Sequence, residues 1–245
     1  MTYHSFGGAW FSFPAGKLWA FAGLSLLFAA LGRIVRGVTT SGALAGAVIC
    51  LALLVGAGLG GFVTLLTVFL LTWGTTRIGY ARKQSLGTAE ANAGRDASQV
   101  FANLGVAGLC AMLHVTLRDQ RLLIAMGAVL SEAAADTVSS EIGQAVGNVP
   151  RLITNWEQVA PGSDGAITLV GTIAGFASAS VVGLTCAFFG IFAWHDLPIC
   201  VGAGVVGTLV DSFLGATLER RQILGNNGVN FVSTAVASLM PLLLS

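Results

Sequence analysis

The feature that most constrains this chain is a series of long apolar stretches. Each approaches the roughly 20 residues that a helix needs to cross the hydrocarbon core of a bilayer. We place eight of them, at about residues 15–31, 43–59, 62–76, 98–116, 122–142, 167–194, 199–218 and 229–244. Since a backbone inside lipid must satisfy its own hydrogen bonds, the series predicts an all-α, polytopic membrane protein of about seven or eight transmembrane helices.

Two of these stretches are less regular than the rest. The first contains Lys17, whose ammonium group lies near enough to the end of a helix to reach the membrane interface. The third is short by itself, and we expect it to continue through Arg77 to Tyr80. We treat residues 1–245 as a single transmembrane domain.

The composition agrees with a membrane protein and argues against several other classes. Only 9% of the residues are charged, against roughly 25% in soluble domains, and the 33 glycines suit helices that pack closely in lipid. A net charge of +1 without a basic stripe gives no sign of a nucleic-acid partner. The four cysteines lie far apart in apolar runs and the three histidines are scattered, so we expect neither disulfides nor a zinc site.

The distribution of basic residues predicts the orientation. The loops after the first, third, fifth and seventh stretches hold nine Lys and Arg residues, namely Arg33, Arg36, Arg77, Arg82, Lys83, Arg95, Arg151, Arg220 and Arg221. The other side holds three, Lys17, Arg118 and Arg121. Because basic residues accumulate in cytoplasmic loops, we expect the long loops at about 81–97 and 143–166 in the cytoplasm. With eight spans, both termini then lie outside, and we expect a bacterial inner membrane.

The stretch "EAAADTVSSEIG", residues 132–143, places three acids inside a predicted span. Each ionised carboxylate costs roughly 2.5–3.5 kcal/mol there even on lenient insertion scales. Glu132 and Asp136 are four residues apart and share a helix face, whereas Glu141 points about 140° away from Asp136. Glu141 therefore either faces a neighbouring element, or the helix breaks at Ser139 and Ser140.

Other polar residues fall at a similar depth. At about 1.5 Å per residue, Asp136 and Asp211 both lie in the inner half of the bilayer, and Asn103 and Asn230 lie within the first turns of their spans. We therefore expect a site on the cytoplasmic side. Carboxylate and amide oxygens without a His or Cys cluster are ligands for Mg²⁺ or Ca²⁺.

The polar loops offer groups that could bind phosphate. Lys83 and Arg95 could clamp phosphate oxygens, and the turn "PGSDG", residues 161–165, is either an ordinary turn or a backbone-lined anion site. We find no Ser–His–Asp set and no Walker-type phosphate loop. Phosphoryl transfer needs little beyond a metal, a clamp and alignment, so a site poor in other catalytic side chains suits it.

Five stretches together resemble one family. They are "GTAEANAGRDASQVFANLG" (87–105), "EAAADTVSSEIG" (132–143), "PGSDGAITLVGTIAG" (161–175), "GTLVDSFLGATLE" (207–219) and "NNGVNFVST" (226–234). In this order they resemble the integral membrane family catalogued as domain of unknown function 92. That family includes animal transmembrane protein 19 and the plant and cyanobacterial phytyl-phosphate kinases.

The resemblance implies a kinase that transfers a phosphoryl group from CTP, or a related nucleoside triphosphate, to an isoprenyl monophosphate within the lipid bilayer. It implies catalytic roles for Lys83, Arg95, Asp136 and Asp211, and Mg²⁺ held by Asp136, Asp211 and Glu141. It implies substrate or nucleotide binding by Glu90, Gln99, Asn103, Asp164, Asn226, Asn227 and Asn230. Val138, where relatives often have an aromatic residue, and the ending "ANLG" depart from the family pattern, which leaves the prenyl chain open.

A membrane transporter is the alternative. In a transporter the same buried acids would serve as ion or proton sites. Such a protein needs a polar path that continues to the outer side, and the outer halves of these spans are apolar. The sequence therefore favours the kinase.

Overall fold

The computed structural model describes residues 15–89, 93–147 and 149–244. Over these residues the chain forms eight α-helices, α1 Ala15–Ile34, α2 Thr40–Arg77, α3 Tyr80–Ser85, α4 Ala97–Leu117, α5 Arg121–Val146, α6 Leu169–Phe188, α7 Leu197–Leu214 and α8 Asn226–Leu244. Two short strands, β1 Arg151–Leu152 and β2 Ala166–Ile167, pair antiparallel between α5 and α6. The prediction of an all-α membrane protein is confirmed, and seven of the described helices are long and apolar enough to cross a membrane.

α2 is a helical hairpin. Its 38 residues would extend about 57 Å as a straight helix, nearly twice the thickness of the hydrocarbon core. Gly58 has φ 64° and ψ −152°, a combination that is essentially restricted to glycine. A Cβ built on Gly61 would lie 2.7 Å from the carbonyl oxygen of Leu53, and the Trp73 indole donates to the carbonyl of Val35, just before α2 begins, at 3.2 Å. The chain therefore reverses direction at Gly58.

The reversal explains the number of crossings. Each half of α2 is long enough to span a bilayer, so the seven long helices supply eight segments that could cross, in agreement with the separate stretches 43–59 and 62–76. By alternation, the first residue of α1 and the last residue of α8 lie at the same end of the bundle.

The connections rich in Lys and Arg meet at one end of the bundle, which we call the loop end. Backbone bridging joins Val38 to Arg95, Arg82 donates to the carbonyl of Gly147 at 3.4 Å, and a hydrogen bond of 2.9 Å joins the first turn of α8 to that of α4. At the opposite end, Arg121 donates to the carbonyl of Leu242 near the end of α8, at 3.4 Å.

α5 is the central helix. It packs against α2, α4, α6, α7 and α8, and Met126, Val129 and Leu130 are completely buried within the apolar core. α7 approaches α5 closely because two of its residues are glycines. A Cβ on Gly204 would lie 2.8 Å from the side chain of Ser131, and one on Gly207 would lie 2.6 Å from that of Glu132.

Several predicted boundaries need correction. α6 ends at Phe188 rather than near Trp194, because the chain turns at Gly190 with φ 68° and then forms the short 3₁₀ turn Trp194–Asp196. α5 does not break at Ser139 and Ser140 but continues to Val146. The predicted loops 81–97 and 143–166 also contain regular structure, namely most of α3, the end of α5 and the β1–β2 pair.

The fold predicts that Gln84 and Gln120 lie on opposite sides of the membrane. Both are exposed, and the four native cysteines are buried, so background labelling should be low. In intact cells, a membrane-impermeant maleimide should label Gln120→Cys directly, and Gln84→Cys only after permeabilisation if the loop end is cytoplasmic. Labelling of both from the same side would contradict the bundle.

Candidate active site

The site is built around carboxyl groups from two helices. Glu132 and Asp136 lie one turn apart on α5, and the Asp136 carboxyl lies within hydrogen-bonding reach of Asp211 on α7. Ser233 on α8 links the set, because its hydroxyl lies 2.7 Å from Oε1 of Glu132 and 3.2 Å from Oδ2 of Asp211. The close packing at Gly207 brings these three helices together.

The carboxyl groups are incompletely satisfied by protein partners. The residue Glu132 is only 1% exposed, and its Oε2 has no hydrogen-bond partner among the residues that the structure describes. The single hydroxyl hydrogen of Ser233 cannot serve the carboxyl groups of both Glu132 and Asp211 at once. Since buried polar atoms normally have partners, the cluster requires an additional proton or cation.

Arg95 is the basic residue that interacts with Asp136. Its Nη2 donates to Oγ1 of Thr137 at 3.0 Å. Its backbone is fixed to the loop before α2, since its N–H donates to the carbonyl of Gly37 at 3.1 Å and its carbonyl accepts from Thr39 at 2.9 Å. A Cβ on Gly42 would lie 2.1 Å from that same carbonyl oxygen, so the absence of a side chain there permits the contact.

Lys83 and Glu141 form a separate buried ion pair. Lys83 is completely buried and also donates to the carbonyls of Thr75 at 3.3 Å and Thr76 at 2.7 Å. The pair ties α3 to α5 and to the end of α2. The predicted orientation of Glu141, away from Asp136, is confirmed. This placement separates Glu141 from the metal set expected for it, and Lys83 from an open phosphate site.

A polar cavity of about 280 Å³ lies beside the carboxyl cluster, between α5, α6 and α7. Asp136 and Asp211 line its wall, and the turn that contains Asp164 covers it. Glu219, in the π-helical turn Gly215–Glu219, is close enough to Asp164 and Asp136 to interact electrostatically. Gly165, with φ 72°, packs against this turn, so the segment "PGSDG" serves as a tight turn that lines the cavity.

A second cavity of about 360 Å³ lies between α1, α2, α4 and α5. Its polar lining includes Arg95, Gln99 and Asn103. Because Arg95 lines this cavity and also interacts with Asp136, which lines the polar cavity, these two residues lie at the boundary between the cavities.

The remaining candidates are divided between structural contacts and the cavities. The amide of Asn103 donates to the carbonyl of Gln99 at 2.9 Å, and that of Asn227 donates to Oγ of Ser98 at 2.9 Å. Asn230 is buried, and Asn226 lines the edge of the polar cavity. Glu90 lies outside the described residues.

Sequence reasoning missed three residues of the site, namely Thr137, Glu219 and Ser233. Thr137 and Ser233 lie within the matching stretches 132–143 and 226–234, but hydroxyl residues are frequent in transmembrane helices, so nothing distinguished these two from the others. Glu219 is an acidic residue at the end of the matching stretch 207–219, and this position could have identified it as a candidate. Within the described residues, no three His, Cys, Asp or Glu side chains are arranged to hold a metal ion by themselves.

The chain matches the family described as "Integral membrane protein DUF92" over residues 23–238. The uncharacterized membrane protein MJ0933 of Methanocaldococcus jannaschii is 35% identical over 185 residues, which cover 74% of this chain and 75% of the relative. The uncharacterized membrane protein sll0875 of Synechocystis sp. is 31% identical over 191 residues, covering 75% and 74%.

A plant relative is more distant. Protein VTE6, chloroplastic, of Arabidopsis thaliana is 27% identical over 196 residues, which cover 76% of this chain and 59% of the relative. No solved structure matches the chain.

The fold and the carboxyl cluster define a helical integral membrane protein with an acidic site among its spans. The family match covers most of the sequence, so the chain belongs to the DUF92 family of integral membrane proteins.

The buried ion pair gives a prediction about stability. Glu141→Gln leaves the Lys83 ammonium buried without its counter-ion, which typically costs about 3–5 kcal/mol, so the unfolding temperature in detergent should fall sharply. The double variant Lys83→Met with Glu141→Leu should recover most of that loss. As the control, Asp119→Asn breaks the exposed pair with Arg121 and should change the unfolding temperature little. Equal shifts in Glu141→Gln and Asp119→Asn would show that the Lys83–Glu141 pair is not structural.

Proposed function

We propose that this protein is a prenyl-phosphate kinase, which transfers the terminal phosphoryl group of a nucleoside triphosphate to an isoprenyl monophosphate and yields the diphosphate. CTP is the expected donor. The observation that carries the proposal is the position of Arg95 and Asp136 at the boundary between a polar and a largely apolar cavity. Membership in a family that includes phytyl-phosphate kinases supports it.

Arg95 is suited to hold the phosphate of the acceptor. A guanidinium group binds phosphate oxygens in a planar, bidentate manner, and the fixed backbone of Arg95 keeps its position constant. A phosphate monoester has a second pKa near about 6 and is largely ionised at neutral pH. Its oxygen can therefore attack the donor without a strong general base, and alignment becomes the main task of the protein.

The carboxyl cluster fits Mg²⁺. Mg²⁺ commonly binds one or two protein carboxylates and completes its coordination with water and substrate phosphate oxygens, so two carboxylates suffice. Asp136 and Asp211 would hold the ion. Oε2 of Glu132, which has no partner in the described part of the chain, supports a cluster that needs positive charge. When bound, the ion neutralises charge on the transferring phosphoryl group.

The donor nucleotide would occupy the polar cavity, where Asp164 and Asn226 line the wall. Gln99 and Asn103 line the other cavity, on the acceptor side. Lys83 and Glu141 are assigned a positioning part, since their pair holds α3 against α5. We infer that the loop end faces the cytoplasm, where the nucleotide is available.

The transporter alternative is not favoured. Beyond Glu132, the half of α5 toward the opposite end is buried among apolar residues, including Leu123, Met126 and Val129. A polar path along α5 would have to cross this packed region, and α5 contributes no ionisable side chain between Leu122 and Ser131.

The proposal is tested with the purified chain in lipid nanodiscs, Mg²⁺, a labelled nucleoside triphosphate and a panel of prenyl monophosphates. Diphosphate should form, with CTP as the preferred donor. Arg95→Lys keeps the charge but loses the planar guanidinium, so kcat/KM should fall by about tenfold or more. Arg118→Lys, at the opposite end, serves as the matched control and should retain activity.

Two outcomes would count against the kinase. Absence of product with every donor and acceptor would overturn the proposal. Product formation with unchanged kinetics in Arg95→Lys would leave the kinase standing and remove Arg95 from the site.

A further inference from the structure

We call the cavity bounded by α1, α2, α4 and α5 the apolar cavity. Its lining is positively charged near the loop end and apolar farther into the membrane. Arg36, Arg77 and Arg95 line it near the loop end. Leu65 lines it twelve residues before Arg77 on the same helix, which is about 18 Å deeper at 1.5 Å per residue. Charged and apolar linings are thus separated along the membrane normal.

The wall of the apolar cavity is held in place by aromatic packing. Phe28 meets Phe69 edge to face with ring centroids 5.6 Å apart, and Phe69 stacks on Trp73 at 6.5 Å. The guanidinium of Arg77 lies 3.9 Å from the centre of the Trp73 ring. These contacts join α1 to the second half of α2, so this wall of the cavity is formed by the fold itself.

Gly46 is the point where the cavity has spare room. It lines the cavity, and a Cβ added to it would meet no atom within 4 Å. Gly56 shows the contrast, because it packs directly against a neighbouring helix. A Cβ there would lie 2.4 Å from the carbonyl oxygen of Ala111. The glycine at position 46 therefore leaves volume that a ligand can occupy.

We propose that the apolar cavity is the binding site for the prenyl chain of the acceptor, with the phosphate at the arginines and the chain extending toward Leu65. The proposal rests on the proposed function and adds where the lipid lies and what limits its length. An amphiphile with one anionic end matches the division between arginines and apolar walls. A volume of about 360 Å³ suits one chain better than the two chains of a diacyl lipid.

The first test compares Gly46→Phe with wild type over prenyl monophosphates from dimethylallyl to geranylgeranyl phosphate. A benzyl group at position 46 should fill the cavity and lower kcat/KM for the longest acceptor by about tenfold or more, since pocket volume discriminates at this level. The shortest acceptor should be affected little. Gly202→Phe is the matched control, because Gly202 is exposed on α7, lines neither cavity, and its added Cβ also meets nothing within 4 Å. It should leave the whole series unchanged.

The second test needs neither catalysis nor a variant. A prenyl monophosphate that carries a diazirine at the end of its chain is irradiated with wild-type protein without nucleotide. Crosslinks should fall on α2 near Leu65 and on α1 near Phe28, and unlabelled prenyl phosphate should compete whereas the prenyl alcohol should compete poorly.

The two tests separate this proposal from the kinase. Crosslinks at the apolar cavity without any kinase activity would support the lipid site and overturn the proposed function. Crosslinks at the polar cavity or on the lipid-facing surface would overturn the lipid site even if the protein is an active kinase. Equal losses for all chain lengths in Gly46→Phe, with Gly202→Phe normal, would also contradict it.

Discussion

The close contact of α5 with α7 and α8 is the constraint on which the rest of the structure depends. It places Glu132, Asp136 and Asp211 together inside the membrane, where isolated charges are costly. The contact is possible because residue 207 is a glycine. A Cβ at this position would collide with the Glu132 side chain. Ser233 then links two of the carboxyls. Buried carboxyl groups are costly in an apolar bundle, which is the basis for proposing the cluster as a cation site.

Two further sets of contacts at the loop end hold residues in place around that site. The backbone of Arg95 is joined to the loop before α2, and its side chain reaches Thr137 on α5. The Lys83–Glu141 pair fixes α3 one turn beyond the cluster. Because Arg95 lines the apolar cavity and Asp136 lines the polar one, the two cavities meet at this pair of residues beside α5.

Sequence reasoning recovered what depends on depth and helical phase. Depth along the spans placed Asp136 and Asp211 at one level, and the 100° rotation per residue gave the direction of Glu141. The sequence could not predict the partner of Glu141, because the packing of α3 against α5 is a tertiary contact. The end of α6 was misplaced because the apolar run continues through Phe189 and Ile191 after the helix has stopped. Ser233 lies in the matching stretch 226–234, but the sequence did not show that its hydroxyl faces the carboxyl groups, because that contact between α8 and α5 is tertiary.

The central claim is that the carboxyl cluster is a cation site and not a structural network, and thermal unfolding of Asp211→Asn tests it most directly. The variant keeps the size of the side chain but removes one of several neighbouring negative charges. Without divalent ions its unfolding temperature should equal or exceed that of wild type, because like-charge repulsion is relieved. Mg²⁺ should raise the unfolding temperature of wild type and do so less in the variant, with Na⁺ at matched ionic strength as the control. A destabilised variant whose response to Mg²⁺ equals that of wild type would contradict the claim.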